Sequence, residues 1–194
     1  MDGVQIAVAV GTWALVVGTW ALVIVTYRLA KEQLSQVNRL TQQQLSVVEG
    51  QLSTAKAQLQ IQLYLELRRE FDGSLLSERK LLSNQLLHAK PHDEINEPVM
   101  NFFEDMGMLL HRDYLDRTMI YGTFSYYATR WWSACKDYIA KERADKGDDT
   151  LFGDFENLIA ALYEDEMKER HKTRTALEPS PSELRRFLED EARL

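Results

Sequence analysis

Polar and apolar residues along this chain fall into three stretches with different rhythms. Residues 6–25, IAVAVGTWALVVGTWALVIV, contain no charged side chain. As a helix this 20-residue run would be about 30 Å long, the thickness of a bilayer's hydrocarbon core, so a transmembrane helix is predicted. The preceding MDGVQ has no Lys or Arg and no A-x-A site follows the run, which favours an uncleaved anchor over a secretory signal. Within the span GTWALV occurs at 11–16 and again at 18–23, and Ala7, Gly11, Ala14, Gly18 and Ala21 recur at spacings of four and three. Small residues in such a seam let helices approach closely in lipid, so a packing seam for another copy or another protein is expected. The alternative is that Gly and Ala are simply common in membrane helices.

Residues 28–72 change to a Gln-, Leu- and Ser-rich composition with no proline and a single glycine, Gly50, which favours helix. Leu34, Leu45, Val48, Leu52, Ala55 and Leu59 fit the a and d positions of a heptad, with Asn38 and Thr41 as polar members. A polar Asn in a seam costs stability and fixes register. Asn38, Leu45, Val48, Leu52 and Leu59 therefore form the expected seam of a parallel coiled-coil stalk. A lone solvated helix, or one folding back on the C-terminal domain, remains the competing reading. From Leu59 to Leu67 the sequence LQIQLYLEL alternates as a strand would. No partner strand follows, and Leu59, Leu63, Leu67 and Phe71 also share a helical face, so helix docking onto the next domain is predicted.

After the turn signal Asp72-Gly73-Ser74 the apolar spacing is helical throughout. Helices are predicted from Leu75 to before Pro91, from His92-Asp93 through Leu110, and from about Leu151 to Lys172. A short element is expected at Leu115–Tyr121. Gly122-Thr123 then opens a helix with Phe124, Tyr127, Trp131, Cys135 and Tyr138 on one stripe. Ser180, Pro181 and Glu183 carry the capping-box pattern of a final helix. The fold class is all-α: a membrane anchor at 1–27, a helical stalk at 28–72, a helical domain at 73–178 and a capped helix at 179–194. The part after the stalk should be a bundle of about five helices.

Charge sharpens this division. Residues 28–72 carry six positive and five negative side chains, offset by Asp2, so the whole formal −7 lies after residue 72. An acidic chain is not expected to bind nucleic acid. Arg28, Lys31 and Arg39 flank the span on one side and only Asp2 on the other. By the positive-inside rule the N-terminus lies outside and the rest in the cytoplasm.

Candidate chemistry adds little. Cys135 is the single cysteine, which excludes an intramolecular disulfide and a multi-Cys zinc site. It is expected to be a buried small hydrophobe. His111-Arg112-Asp113 matches the opening of a kinase catalytic loop, but without the later Asn or a Gly-rich loop upstream it reads as a helix end and turn. His88 and His92 with Asp93 and Glu94 have metal-ligating side chains, but Pro91 breaks the helix that would align them. Lys168, Arg170, His171, Lys172 and Arg174 form a basic helix end. No catalytic, cofactor-binding or metal-binding residue is assigned, and no cofactor is expected.

Ten of the 19 aromatic residues lie between Phe102 and Tyr138, a density that predicts a core. Trp131 and Trp132 are adjacent on one helix and cannot both face inward, so Trp132 is expected at a flank that could line a pocket or partner surface. The run Phe102–Arg143, with Phe102-Phe103-Glu104, Leu109-Leu110, Trp131-Trp132 and Arg143 as its anchors, resembles a bacterial family of unknown function. The likeness covers about residues 60–145. It implies one N-terminal membrane helix, a helical linker and a helical cytoplasmic domain in a bacterial inner membrane. It implies no reaction. Trp131, Trp132 and Arg143 are the candidate pocket or partner surface.

The expected function is a non-enzymatic anchor in the lipid bilayer that self-associates and presents an acidic helical domain to a cytoplasmic protein partner. The alternative is a membrane-perturbing effector of an abortive-infection or toxin-like system.

Overall fold

The computed structural model describes residues 2–88, 95–170 and 177–194, with side chains from residue 18 onward except 21 and 170. Among the described residues six helices follow one another: α1 (Asp2–Asp72), α2 (Leu76–Leu87), α3 (Pro98–His111), α4 (Arg117–Lys146), α5 (Gly153–Arg170) and α6 (Pro181–Arg193). No strand occurs among the described residues, so the all-α reading holds. The alternating stretch from Leu59 to Leu67 is helix. Its side chains at 63, 67 and 71 stand four apart, which stacks them on one helical face.

The chain divides into two compact units, residues 1–55 and 56–194. In the first, every described side chain is exposed. Leu34, Leu45, Val48 and Leu52 of the stalk all stand more than half open, Leu52 at 69%. Asn38 is exposed as well. Among the described residues no helix is long and apolar enough to cross a membrane. Most of the expected span lies outside the described side chains, including Ala7, Gly11, Ala14 and Ala21 of the small-residue seam. Gly18 is exposed, with open space where a Cβ would stand.

The second unit starts at Lys56, well before the turn at Asp72-Gly73-Ser74 where the domain was expected to begin. The reason is that the last turns of α1 belong to the core. Leu67 and Phe71 are buried, and Leu63 and Tyr64 pack beside them. Phe71 is a hub: its ring lies 4.8 Å from Tyr127, 5.5 Å from Phe124, 5.6 Å from Phe102 and 6.1 Å from Phe103. Burying one such ring contributes about 1.5–3 kcal/mol. The α6 helix, expected as a separate capped segment, is part of the same unit through buried Phe187, Leu188 and Glu191.

Two boundaries differ from the sequence expectation. The short element at Leu115–Tyr121 and the helix expected from Gly122 are one helix, α4. It opens where the Asp116 side chain accepts a hydrogen bond from the Met119 amide at 3.0 Å. Gly122 is exposed inside that helix with nothing near it, so it breaks nothing. The start expected at His92-Asp93 lies outside the described residues, and α3 begins at Pro98, whose missing amide suits a first helical position. The final helix starts as expected. Ser180 Oγ accepts from the Glu183 amide, and the Ser180 amide donates to Glu183 Oε2 at 2.8 Å.

Within this unit α3 packs chiefly on α5, and α2 on α6, while α4 touches both α5 and α6. Gly107 makes the first contact close: a Cβ there would run into the Asp154 backbone carbonyl of α5. Nearby, the Glu104 carboxylate of α3 accepts from the Phe155 amide at 2.6 Å. That satisfies one of the free amides in the first turn of α5 and places a negative charge at its positive end. The α4–α5 connection turns at Gly147, which takes the left-handed φ of 64°.

Candidate functional site

The least expected chemistry in the bundle is a buried ion pair. Arg79 of α2 and Glu191 of α6 have side chains only 5% and 6% exposed. Nε donates to Oε2 and Nη2 to Oε1, both at 2.7 Å, a bidentate fork. Nη1 donates at 3.0 Å to the carbonyl of Phe71, among the last, otherwise unsatisfied carbonyls of α1. The guanidinium carbon lies 4.0 Å above the Phe71 ring and 5.4 Å from the Tyr127 ring. One cation thereby joins four helices. The sequence carries a signal for this pair. Arg79 falls on the apolar stripe Leu75, Leu82, Leu86, and Glu191 on the stripe Leu184, Phe187, Leu188. A charge on each apolar stripe is what a buried pair looks like before folding.

The expected pocket residues sit elsewhere. Trp131 is fully buried, edge-on to Phe187 of α6 with centroids 5.2 Å apart. Trp132 is half-buried and edge-on to Phe155 of α5 at 5.1 Å. Because α4 contacts helices on two sides, both neighbours find partners, with Trp132 at the flank. Arg143 spans the α4–α5 turn: Nε donates to the Leu151 carbonyl at 2.8 Å and Nη2 pairs with Glu156 at 2.9 Å. None of the three lines the cavities described next. Phe102 and Phe103 are core, Leu109 and Leu110 pack against it, and Glu104 caps α5.

Among the described residues, cavities open on the surface of this unit, three of them between helices. A polar cleft of about 340 Å³ lies between α4, α5 and the start of α6, with Arg130 stacked over Tyr126 at 3.6 Å and Glu166, Glu178 and Glu183 around it. A second, of about 290 Å³, lies between α1 and α4 over Arg68, Asp72 and Thr123. Tyr64 and Thr123 share a hydrogen bond of 2.7 Å between their hydroxyls beside it. The third, of about 360 Å³, is a groove between α1 and α3. The α1 side contributes Leu63 and Leu67 with Glu66 and Glu70. The α3 side contributes Phe102, Met108 and Leu109 with Asp105. Its floor is apolar and its rim acidic.

Reactive groups are placed away from these openings. Cys135 is buried and burial pushes its thiol up to about 12, so it is neutral and unreactive at ordinary pH. Tyr138 is raised by burial and by its 2.8 Å hydrogen bond to Glu97. His111 ends α3, and Asp113 follows in a left-handed turn at φ 62°, where it pairs with Lys56. No group of three His, Cys, Asp or Glu able to hold a metal ion occurs among the described residues. Of the His88/His92 set, His92, Asp93 and Glu94 lie outside them. Most of the basic run after Lys168 does too.

A family profile described as a domain of unknown function, DUF4760, matches residues 6–162. No curated protein and no solved structure matches the chain.

Proposed function

We propose a function on one premise: the chain belongs to the DUF4760 family, a domain of unknown function. In this reading it is a non-enzymatic, self-associating anchor of the bacterial inner membrane. Residues 6–25 cross the bilayer with the N-terminus outside, and the stalk pairs with other copies. The acidic bundle is then held in the cytoplasm for a protein partner.

The observation that carries this reading is the exposed apolar surface of the stalk. Leu34, Leu45, Val48 and Leu52 repeat at heptad spacing and each is more than half exposed. A helix in water draws most of its stability from packing an apolar face. Among the described residues of its unit that face has no partner, and a second copy in parallel would cover it with like residues in register. The charge-free run just ahead of the stalk supports a bilayer as the partner of the first turns.

The test is membrane retention and crosslinking in intact bacterial membranes. Wild type should resist carbonate extraction and give crosslinked oligomers. Leu45→Asp combined with Leu52→Asp should keep the protein in the membrane while abolishing the oligomer bands. Release of wild type by carbonate, or crosslinking unaffected by the double substitution, would overturn it.

A further inference from the structure

The α1–α3 groove assigns a chemistry to the partner, and we propose that it receives a basic amphipathic helix of another protein. The inference rests on the reading of the bundle as an interaction domain and goes further, to a surface and a kind of ligand. The groove runs between two helices, and a third helix fits such a surface by setting its side-chain ridges between theirs. Its floor of Leu67, Phe102 and Met108 offers apolar contact for residues spaced one turn apart on the incoming helix.

The rim selects charge. Glu66 and Glu70 stand four residues apart on α1, a like-charge spacing that works against the helix, and Asp105 faces them from α3. All three are exposed, and their carboxylates have no partner among the described residues. Lys56 and Arg68 are engaged elsewhere, Lys56 with Asp113 and Arg68 with Asp72. Lys or Arg residues flanking an apolar stripe would supply the missing counter-charges and be steered in by the acidic field. A second copy is disfavoured as the occupant because residues 73–194 bring a formal −7 with them.

The full chain, in discs of zwitterionic lipid, would be tested with a fluorescent Leu/Lys amphipathic peptide of about 18 residues, five helical turns. A Leu/Glu peptide of the same pattern is the counter-probe. The Leu/Lys peptide should bind and the Leu/Glu peptide should not. Glu66→Gln, Glu70→Gln and Asp105→Asn together should weaken binding roughly tenfold or more. Asp148→Asn, Asp149→Asn and Glu178→Gln, which remove as much charge away from the groove, should leave it unchanged. A photo-crosslinker on Met108→Cys, where buried Cys135 will not compete for the label, should capture the Leu/Lys peptide.

Equal loss in the two triple variants would reduce the effect to net charge and overturn the groove. Capture of a second copy from position 108 in place of the peptide would overturn the basic-helix occupant. Circular dichroism checks that the neutralised variants stay folded. Membrane retention and self-crosslinking of the same wild-type preparation separate the two ideas. Their loss with peptide binding intact counts against the anchor alone, and the converse against the groove alone.

Discussion

The stalk and the bundle are both leucine-rich helical regions, yet they use their leucines in opposite ways. Leu52 on α1 is 69% exposed, whereas Leu82 on α2 is fully buried. The residue type is the same and the difference lies in what surrounds the stripe. In residues 56–194 the apolar stripes of several helices converge on Phe71, Phe103 and Phe155, and each covers another. In residues 18–55 one stripe runs along a single helix with no second one in its unit. A region that buries its apolar face draws stability from that packing, whereas one that exposes it draws none from within its own unit. The two regions should therefore answer differently to mutation.

The largest effect is expected where the bundle buries charge. Glu191→Ala leaves Arg79 charged, enclosed and unpaired, and should cost about 3–5 kcal/mol in urea unfolding of the full chain. Replacing both partners with apolar residues, Arg79→Met with Glu191→Leu, should recover most of that loss. If the single variant stays within experimental error of wild type, the bundle does not depend on this pair. Gly107→Ala comes next. Its new methyl group meets the Asp154 carbonyl, so α3 and α5 must separate, and about 1–3 kcal/mol should be lost in the same measurement. Leu45→Asp with Leu52→Asp should move the bundle's unfolding by no more than about 0.5 kcal/mol, as exposed sites do, while abolishing the proposed self-association. A large loss of bundle stability there would erase the contrast between the regions.

Much of the architecture was legible because it is local. Ser180, Pro181 and Glu183 specify a helix start through bonds within four residues, and that start is where it was read. The Asp72-Gly73-Ser74 turn was legible for the same reason. Residues 59–67 have the local rhythm of a strand, and read as helix because no partner strand follows and Leu63, Leu67 and Phe71 share a helical face. Gly122 misled because an exposed glycine costs a helix only about 1 kcal/mol, too little to end one that Asp116 has already capped. The split between Trp131 and Trp132 was legible too, since adjacent rings on one helix point apart: Trp131 is buried and Trp132 stands half-buried at the flank.

The sequence by itself determined the helical class, the concentration of acid after residue 72 and the polar–apolar rhythm of each helix, since these follow from composition and short-range spacing. Only the tertiary structure decided which stripes meet. It placed the end of α1 inside the bundle, set Arg79 against Glu191 across 112 positions of chain, and brought Glu66, Glu70 and Asp105 to one groove. Those outcomes depend on residues distant in sequence becoming neighbours. Spacing along one helix states which face is apolar or charged, and packing alone selects what that face will touch.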